Sequence, residues 1–524
     1  MLHRAPAPSF VLASFVSMSV ALASFVLLPV VAVAETPPSA IGAPPAPGSL
    51  FLQPERITFE DGGQVEAERG LIFVPTNRER PESGVISVEI YRFKAGPEAT
   101  PGTPPVFLLH GGPGWPGLSG ALERSRYYEH LLGSLASVAD LVVVGQRGIG
   151  SSRPDTACRL PEDRPSENTM DRAQAVEVVK ETVRNCKAFW EQQGLDLTGF
   201  NVNQAAADVD DIRRALGYKT ITLWGGSFGS HWAMTLMRNH PEIVARAVLG
   251  GLEGPDHTYD MPGDVLKALE RMAAAAEASS AVAPHVPEGG LIEALRTVIA
   301  RAEKEPVTIE VPATDDEEAR TVVLDADDLR GMTSGYTGSA RSRWDVADWP
   351  TEVLELYHGD FSRAAKHVRS GIRAPTASFF MLDCGSGITP ARHERVLQDP
   401  GAKVVGELGW FYDAACPIWD TDLGDAFRQN FETHIPTVLV HGNWDVSTPL
   451  ENALELAPYF KAGKLIQVDG GSHGAVGEVL RDTEGFREAI LKFVGTGDMS
   501  ALPDQIELPP IDWKAPPARE AAAE

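Results

Sequence analysis

The chain has 524 residues, of which 43% are hydrophobic and 7% aromatic, and this composition can supply a large globular core. Acidic residues outnumber basic residues by 72 to 46, which gives a formal net charge of −26 at pH 7. A surface of this sign repels phosphate backbones and anionic membranes, so nucleic acid is not an expected partner.

The N-terminus has the pattern of an export signal. Arg4 supplies a short positive region, residues 10–33 carry no charge, and Ala-Val-Ala at 32–34 is a small-residue cleavage site. We predict a signal peptide over residues 1–34, cleaved after Ala34, and a secreted or periplasmic protein. The alternative is an uncleaved signal that anchors the chain in a membrane, since the apolar stretch is long enough to span one.

The segment after the leader alternates short apolar runs with helical periodicity. Three short strands are predicted at one sheet edge, and the runs at 105–110 and 141–145 are continuously apolar, which is typical of strands buried on both faces of a parallel sheet. The other predicted elements, in chain order, are helices at 173–193 and 203–216, a strand ending at Ser227, a helix at 231–239 and a strand at 247–251. This alternation predicts an α/β fold.

The strand rhythm stops near residue 254 and resumes at 436–441 and 464–468, followed by a helix near 483–493. The interruption is mostly helical, and it follows a strand at the carboxyl end of the sheet, where ligands bind in such folds. We interpret it as a lid over the site. The predicted divisions are a signal peptide (1–34), a flexible leader rich in Pro, Ala and Gly (35–50), a first core part (51–253), a helical cap (254–432), a second core part (433–500) and a weakly ordered tail (501–524).

Four cysteines fit an exported protein with two disulfides. Three connectivities are possible, and the sequence-local one, Cys158 with Cys186 and Cys384 with Cys416, is the default. Four buried free thiols are the alternative. No two cysteines have the spacing of a zinc or redox motif, and no metal or cofactor fingerprint occurs elsewhere in the sequence.

Residues 220–230 join a β-branched apolar run to a helical pattern through the sequence Gly-Gly-Ser-Phe-Gly. This arrangement is typical of the strand, tight turn and helix of a nucleophile elbow, with Ser227 at its tip. Gly225 and Gly229 suit the strained turn, because a Cβ atom at either place would collide with the adjoining strand or helix. We therefore interpret Ser227 as a catalytic nucleophile.

A serine nucleophile needs a base to take its proton, and the base needs an acid to hold its tautomer. Enzymes with this elbow carry the three groups in the order Ser, Asp or Glu, His. Asp445 follows the strand at 436–441, and His473, the one histidine after Asp445 in the sequence, follows the next strand. We predict Asp445 as the acid and His473 as the base.

Other residues compete for these roles. Asp469 and Asp420 are alternative acids, and Asp469 lies close to His473 in sequence. Ser472 lies in a second G-x-S-x-G pattern, but no histidine follows that pattern, so its own His473 would have to act as the base. We interpret Ser472 as a small residue that lets His473 approach the site.

The sequence His-Gly-Gly-Pro-Gly at 110–114 follows a predicted buried strand. A tetrahedral intermediate develops negative charge on the former carbonyl oxygen, and backbone N–H groups must already be in place to meet that charge. We predict the N–H groups of Gly112 and Phe228 as the oxyanion hole, with Gly111 as the next choice.

The combination of His-Gly-Gly-Pro-Gly, Gly-Gln-Arg-Gly-x-Gly-x-Ser at 145–152, Gly-Gly-Ser-Phe-Gly-Ser and the Asp and His loops spans residues 106–474. It resembles the proline iminopeptidase and tripeptidyl aminopeptidase family of α/β-hydrolase serine peptidases, and the cysteines resemble its secreted, tripeptidyl-type branch. The resemblance implies an α/β-hydrolase fold and an exopeptidase whose substrate is a peptide with a free N-terminus. One departure is Gly145, because the second motif in this family usually starts with Asp.

Members of this family bind the α-amine of the substrate with acidic groups near the cap. Glu253 follows a predicted strand at the same sheet edge as Ser227, so the resemblance favours it as an amine-binding residue. A carboxylate that caps the next segment is the alternative.

Other functions remain open at this point. An exported esterase or amidase acting on small acyl substrates would share the triad, because fold and triad do not separate the two activities. A non-catalytic scaffold usually lacks triad members, and epoxide hydrolases and dehalogenases would have an Asp at the elbow in place of Ser227. The sequence does not indicate the oligomeric state, and it implies no stable membrane association if the signal is cleaved.

Overall fold

The computed structural model describes residues 45–59, 62–97, 99–114, 126–166, 168–313, 318–333, 343, 345–367, 376–419, 421–514 and 516. The predicted signal peptide, most of the predicted leader and the alternative acid Asp420 lie outside these residues. Within the described ranges, no helix combines the length and the apolar character needed to cross a bilayer.

Twelve strands occur in the described residues, and ten of them form one sheet. The strands are β1 (Leu50–Thr58), β2 (Gln64–Pro75), β3 (Val85–Phe93), β4 (Val106–Leu109), β5 (Leu141–Val144), β6 (Ile221–Ser227), β7 (Val244–Leu252), β8 (Val307–Val311), β9 (Arg320–Leu324), β10 (Thr437–Gly442), β11 (Gly463–Asp469) and β12 (Gln505–Glu507). The order in the sheet is β1-β2-β3-β5-β4-β6-β7-β10-β11-β12. The first strands are antiparallel up to the β3–β5 pair, and every later neighbour is parallel.

The parallel strands are buried on both faces, as their continuous apolar runs predicted. In β4, Phe107 and Leu109 belong to one hydrophobic cluster, whereas Val106 and Leu108 belong to a second cluster on the opposite face. This division follows from the alternation of side chains along a strand. The fold is therefore a sheet covered by helices on both sides, and the predicted α/β class is confirmed.

The helices surround this sheet and fill the insertion after β7. They are α1 (Arg126–Ala136), α2 (Arg172–Gln192), α3 (Val202–Ala215), α4 (Phe228–Asn239), α5 (Pro262–Glu277), α6 (Gly290–Lys304), α7 (Ala326–Thr333), α8 (Trp349–Tyr357), α9 (Ser362–His367), α10 (Ala377–Ser386), α11 (Pro390–Gln398), α12 (Ala402–Val405), α13 (Trp410–Trp419), α14 (Asp425–Arg428), α15 (Leu450–Leu456), α16 (Ala475–Asp482) and α17 (Glu484–Thr496). Side chains of α3 and α4 pack on one face of the sheet, and those of α16 and α17 on the other.

The insertion between β7 and β10 contains α5 to α14, and many of its side chains form a third hydrophobic cluster, which Trp444 and Trp513 join from outside the insertion. Leu269, Leu295 and Trp349 are fully buried in that cluster, so the insertion is more than a surface loop. It is mostly helical, as predicted, but it also contains the antiparallel hairpin of β8 and β9. The predicted boundaries of the cap, 254–432, stay a prediction.

The C-terminal segment differs from the prediction of a weakly ordered tail over 501–524. Residues 505–507 form β12 at the edge of the sheet, and Trp513 is buried 5.7 Å from the ring of Trp444. The Lys514 amide also donates to the carbonyl of Ala347 in the insertion. The prediction is therefore wrong for residues 501–514, because the apolar residues there are too widely spaced to give a periodic pattern, although each fills a place in a cluster.

Both disulfides have the sequence-local pairing that was the default prediction. Cys158 is joined to Cys186 of α2, and Cys384 of α10 is joined to Cys416 of α13. The second disulfide therefore ties together two helices of the insertion.

Candidate active site

Ser227 lies at the junction of β6 and α4 in a strained backbone conformation. Its φ is 56°, and among the described residues it is the one non-glycine residue with a positive φ. A Cβ atom on Gly225 would collide with the backbone of Gly229, and one on Gly229 would collide with the backbone of Leu109. The local geometry is thus that of the predicted elbow, and only glycine fits on either side of the serine.

Asp445 and His473 lie together beyond the carboxyl ends of β10 and β11. Each carboxylate oxygen of Asp445 is 3.0 Å from Nδ1 of His473. Burial acts to raise the pKa of Asp445, but the neighbouring His473 and His441 and several hydrogen bonds outweigh it and lower this pKa to about 2. Asp445 is therefore a carboxylate at neutral pH, suited to fix the tautomer of His473.

Two residues that sequence reasoning missed hold Asp445 in place. Thr448 donates its backbone N–H to Oδ1 over 3.0 Å and its hydroxyl to Oδ2 over 2.8 Å. The ring of His441 accepts from the Leu252 N–H at Nδ1, which leaves Nε2–H to donate to the Thr448 carbonyl over 2.7 Å. The Asp-x-x-Thr spacing could have suggested Thr448, whereas His441 had no local signal.

The competing residues have other partners. The Asp469 carboxylate accepts from the side chains of Asn443 and Gln505. The Ser472 hydroxyl donates to Glu478, which also accepts the Ser472 backbone N–H. Neither residue therefore has the contacts that a catalytic acid or nucleophile beside His473 would need.

His473 reaches the edge of the sheet where Ser227 lies. Ser227 is paired in register with Leu252 of β7, and a Cβ atom on the adjacent Gly251 would lie 3.1 Å from Cε1 of His473. Among the described residues the structure has no hydrogen bond between Ser227 and His473. In enzymes without substrate such bonds are often long and tighten when substrate binds.

The loop that follows β4 lies directly against Ser227. A Cβ atom on Gly111 would be 2.9 Å from Cβ of Ser227, and Gly112 has a φ of 114°. Phe228, the other predicted oxyanion residue, begins α4, so its N–H belongs to the unpaired first turn of a helix and lies at the positive end of the helix dipole. The structure thus places Gly111 against Ser227, and the two predicted donors, Gly112 and Phe228, are the next residues after Gly111 and Ser227 in the chain.

Gly145 occupies a place where no side chain fits. Its N–H donates to the Glu89 carbonyl over 2.8 Å, and a Cβ atom there would lie 2.7 Å from that same oxygen. The close approach of β3 therefore favours glycine at this position in this chain.

Acidic side chains from the insertion come close to Glu253. Burial, and after it repulsion from Asp383 and Asp260, raises the pKa of Glu253 well above its ordinary value. Burial also raises the pKa of Asp260 to about 8 against the attraction of Arg392, and it raises the pKa of Asp383. We call Glu253, Asp260 and Asp383 the acidic cluster; its two Asp members were not predicted.

Aromatic side chains of α10 and α13 join the insertion to the loop after β4. A Cβ atom on Gly114 would be 2.6 Å from Cβ of Phe379, and Phe379 stacks on Tyr412 with the ring centroids 6.3 Å apart. The Tyr412 hydroxyl donates to Asp383 over 2.7 Å. The insertion thus contributes both apolar and acidic groups beside the elbow.

In the ranges that the structure describes, no group of three or more His, Cys, Asp or Glu side chains is arranged to hold a metal ion.

Two family models match the chain, and together they cover more than half of it. Residues 104–283 match the α/β hydrolase fold, and residues 404–505 match TAP-like proteins. The second match includes Asp445 and His473, and the first includes Ser227.

Curated relatives agree with these matches. Serine protease Hip1 of Mycobacterium tuberculosis is 27% identical over 193 residues, and the matched segment is 36% of this chain and 36% of Hip1. Proline iminopeptidase of Neisseria meningitidis is 28% identical over 171 residues, which covers 32% of this chain and 40% of the relative. A putative hydrolase of Escherichia coli, YuaR, is 19% identical over 70% of this chain and 73% of its own length.

The chain therefore spans little more than a third of the length of Hip1 in that match. The sheet topology, the two family matches and the relatives nevertheless agree with the family that the motifs predicted. The chain belongs to the α/β-hydrolase family, its residues 404–505 match the TAP-like proteins, and it is similar to the proline iminopeptidases.

Proposed function

We propose that the protein is a serine exopeptidase, an aminopeptidase of the prolyl or tripeptidyl type, that hydrolyses peptide bonds near a free N-terminus through an acyl-enzyme. The observation that carries this proposal is the position of Glu253, which follows β7 at the sheet edge of Ser227 and His473 and belongs to an acidic cluster. Hip1 is a serine protease and the Neisseria relative is a proline iminopeptidase, which supports a peptidase.

In the proposed mechanism the Ser227 hydroxyl attacks the scissile carbonyl and His473 takes its proton. Asp445 keeps His473 in the tautomer whose Nε2 can accept that proton, and it stabilises the imidazolium that forms. The N–H groups of Gly112 and Phe228 stabilise the oxyanion of the tetrahedral intermediate. His473 then returns the proton to the leaving amine, and water hydrolyses the acyl-enzyme by the same sequence of steps.

The acidic cluster would bind the α-ammonium group of the substrate. Buried carboxylates that repel one another gain most from a cation placed among them, because the cation restores the charged form that burial disfavours. We assign the central role to Glu253, whose own backbone N–H donates to the Ser230 hydroxyl over 2.9 Å and fixes the start of the segment.

The Glu253→Gln substitution tests this assignment. We expect it to raise the KM for peptides with a free amine about tenfold or more, since one charge-assisted hydrogen bond is lost, and to leave short-chain esters little changed. Steady-state kinetics on the two substrate classes measures both effects. An equal change for peptides and esters would show that Glu253 acts on the shared machinery instead.

The competing function, an esterase or amidase for small acyl groups, is tested with the wild-type protein. Proline amides, tripeptide amides and a ladder of short peptides are compared with short-chain esters, and the products are identified by mass spectrometry. We expect sequential release of one residue or of tripeptides from the N-terminus. Rapid ester hydrolysis without any peptide cleavage would favour the esterase.

We also propose that the protein acts outside the cytoplasm. The two disulfides support this location, because such bonds persist in oxidising compartments. N-terminal sequencing of the mature protein tests the predicted signal: we expect it to begin at Glu35, and a mature chain that retains residues 1–34 would point to an anchored protein.

A further inference from the structure

Gln146 lies behind the loop that carries the proposed oxyanion hole, and its side chain is bonded only to that loop among the described residues. Its Oε1 accepts the Gly114 N–H over 2.9 Å. Its Nε2 donates to the carbonyls of Gly111 over 3.1 Å and His110 over 3.3 Å. The residue is 5% exposed, so these three bonds form away from bulk water.

The contacts leave one orientation for the Gln146 amide. A backbone N–H can only donate, so Gly114 requires the amide oxygen, and two carbonyls require the amide nitrogen with its two hydrogens. One side chain thus satisfies three backbone groups after the end of β4, where the loop has left the sheet ladder.

The bond to Gly111 has a direct consequence for Gly112. The carbonyl of Gly111 and the N–H of Gly112 belong to the same planar trans peptide unit, in which the two groups point in opposite directions. A donor that holds the carbonyl on one side therefore fixes the direction of the N–H on the other side. Hydrogen bonding to the carbonyl also polarises the unit and strengthens its N–H as a donor.

The backbone on either side of Gln146 is firmly held. The N–H of Gly145 is bonded to Glu89, as described above. On the other side, Arg147 is buried, forms an ion pair with Asp208 and donates to the Thr76 carbonyl over 2.6 Å. Gln146 therefore projects from a fixed backbone onto a glycine-rich loop that has little rigidity of its own.

We propose that Gln146 is a positioning residue for the oxyanion hole, which orients the peptide unit between Gly111 and Gly112 so that the Gly112 N–H meets the developing oxyanion. The proposal rests on the proposed function, because it takes Ser227 as the nucleophile and Gly112 as a donor. It goes beyond that function by giving the Gln of the second motif a role in the reaction.

Two substitutions and a matched control test this role. Gln146→Leu removes all three bonds, and Gln146→Glu is nearly isosteric but exchanges the donor for an acceptor. The control is Gln204→Leu. Gln204 lies on α3, is 6% exposed, and its side-chain oxygen also accepts a backbone N–H, that of Arg78. A general effect of losing a buried amide would appear in all variants.

The readouts are steady-state kinetics on a short-chain ester and on peptides, the rate of Ser227 labelling by a fluorophosphonate, and the inhibition constant of an alkyl boronic acid. We expect both Gln146 variants to lower kcat and the labelling rate about 10- to 100-fold. This decrease should not exceed the one that removal of a whole oxyanion donor causes. Boronate affinity should fall by a similar factor while KM and the melting temperature stay near those of the Gln204 control.

The outcomes separate this proposal from the proposed function. If Ser227 of the wild-type protein is not labelled, the proposed function fails and this proposal fails with it. If Ser227 is labelled and both Gln146 variants retain wild-type kcat and boronate affinity, the positioning role is overturned and the proposed function stands. If Gln146→Leu does not fold, Gln146→Glu decides between these results, since its side chain fills the same volume.

Discussion

The Asp445 carboxylate is the most completely bonded group in the candidate site. It accepts from the Ser447 and Thr448 backbone, from the Thr448 hydroxyl and from His473. Such a network leaves Asp445 one orientation, which aims His473 toward the elbow. Thr448 matters here because its hydroxyl also lies 3.2 Å from Nδ1 of His473.

The Thr448→Val substitution removes that hydroxyl and keeps the shape of the side chain. We expect kcat/KM to fall about tenfold or more, because a hydrogen bond to a charged group contributes about 1.5–3 kcal/mol. Thr448→Ser, which keeps the hydroxyl, is the control and should retain most of the activity. Comparable losses in both variants would show that the hydrogen bond does not account for the effect, because Thr448→Ser keeps the hydroxyl.

The acidic cluster makes stability depend on pH in a direction opposite to that of Asp445. The folded-state pKa of Asp260 is raised to about 8, above the ordinary value of an unfolded chain. Between about pH 4 and pH 8 the folded protein retains a proton that the unfolded chain has released, so its stability falls as pH rises.

We therefore expect Asp260→Asn to raise the melting temperature at pH 8 and to change it little at pH 4, where the wild-type carboxyl is already protonated. Calorimetry at the two pH values measures this difference. Asp504→Asn, at a carboxylate that is 92% exposed, is the control and should show no such trend. A stabilisation of equal size at both pH values would rule out the titration of Asp260 as its cause.

Among the elements of the fold, those that depend only on neighbouring residues were predicted from the sequence. The continuous apolar run of β4 and the small residues of the elbow were visible because burial on both faces and a strained turn each restrict residue types. The hairpin of β8 and β9 was not predicted, because its five-residue strands lie among helices and stabilise each other only as a pair. Trp513 was missed because its partner, Trp444, is distant in sequence.

The Cys384–Cys416 disulfide joins α10, which carries Phe379 and Asp383, to α13, which carries Tyr412. We expect its removal by two Cys→Ser substitutions to cost about 3–4 kcal/mol on the chain-entropy model and also to raise the KM for peptides. Chemical denaturation and peptide kinetics measure the two effects.

The Cys158–Cys186 disulfide is a matched control, with a sequence separation of 28 against 32. Its removal should cost a similar free energy of unfolding while leaving KM unchanged, because it does not join the two helices of the insertion. An unchanged KM in both double variants would show that the link between α10 and α13 does not affect substrate binding.

At the scale of the whole molecule, the candidate site combines groups from both parts of the chain. The chain order of Ser227, Asp445 and His473 was readable because a parallel sheet gathers the ends of its strands at one edge. The positions of Asp260 and Asp383 beside Glu253 could not be predicted, because these residues come from separate segments of the insertion that only the folded structure brings together. The proposed substrate recognition thus depends on long-range packing, whereas the proposed chemistry follows strand order.

In the proposed function, Ser227 cleaves peptides that carry a free α-amine. The most direct test compares a short peptide with its N-acetylated copy, using the wild-type protein and Ser227→Ala, with products followed by mass spectrometry. We predict that wild type shortens only the free peptide from its N-terminus and that Ser227→Ala shortens neither. Equal cleavage of the acetylated peptide, or cleavage that survives in Ser227→Ala, would rule out this function for Ser227.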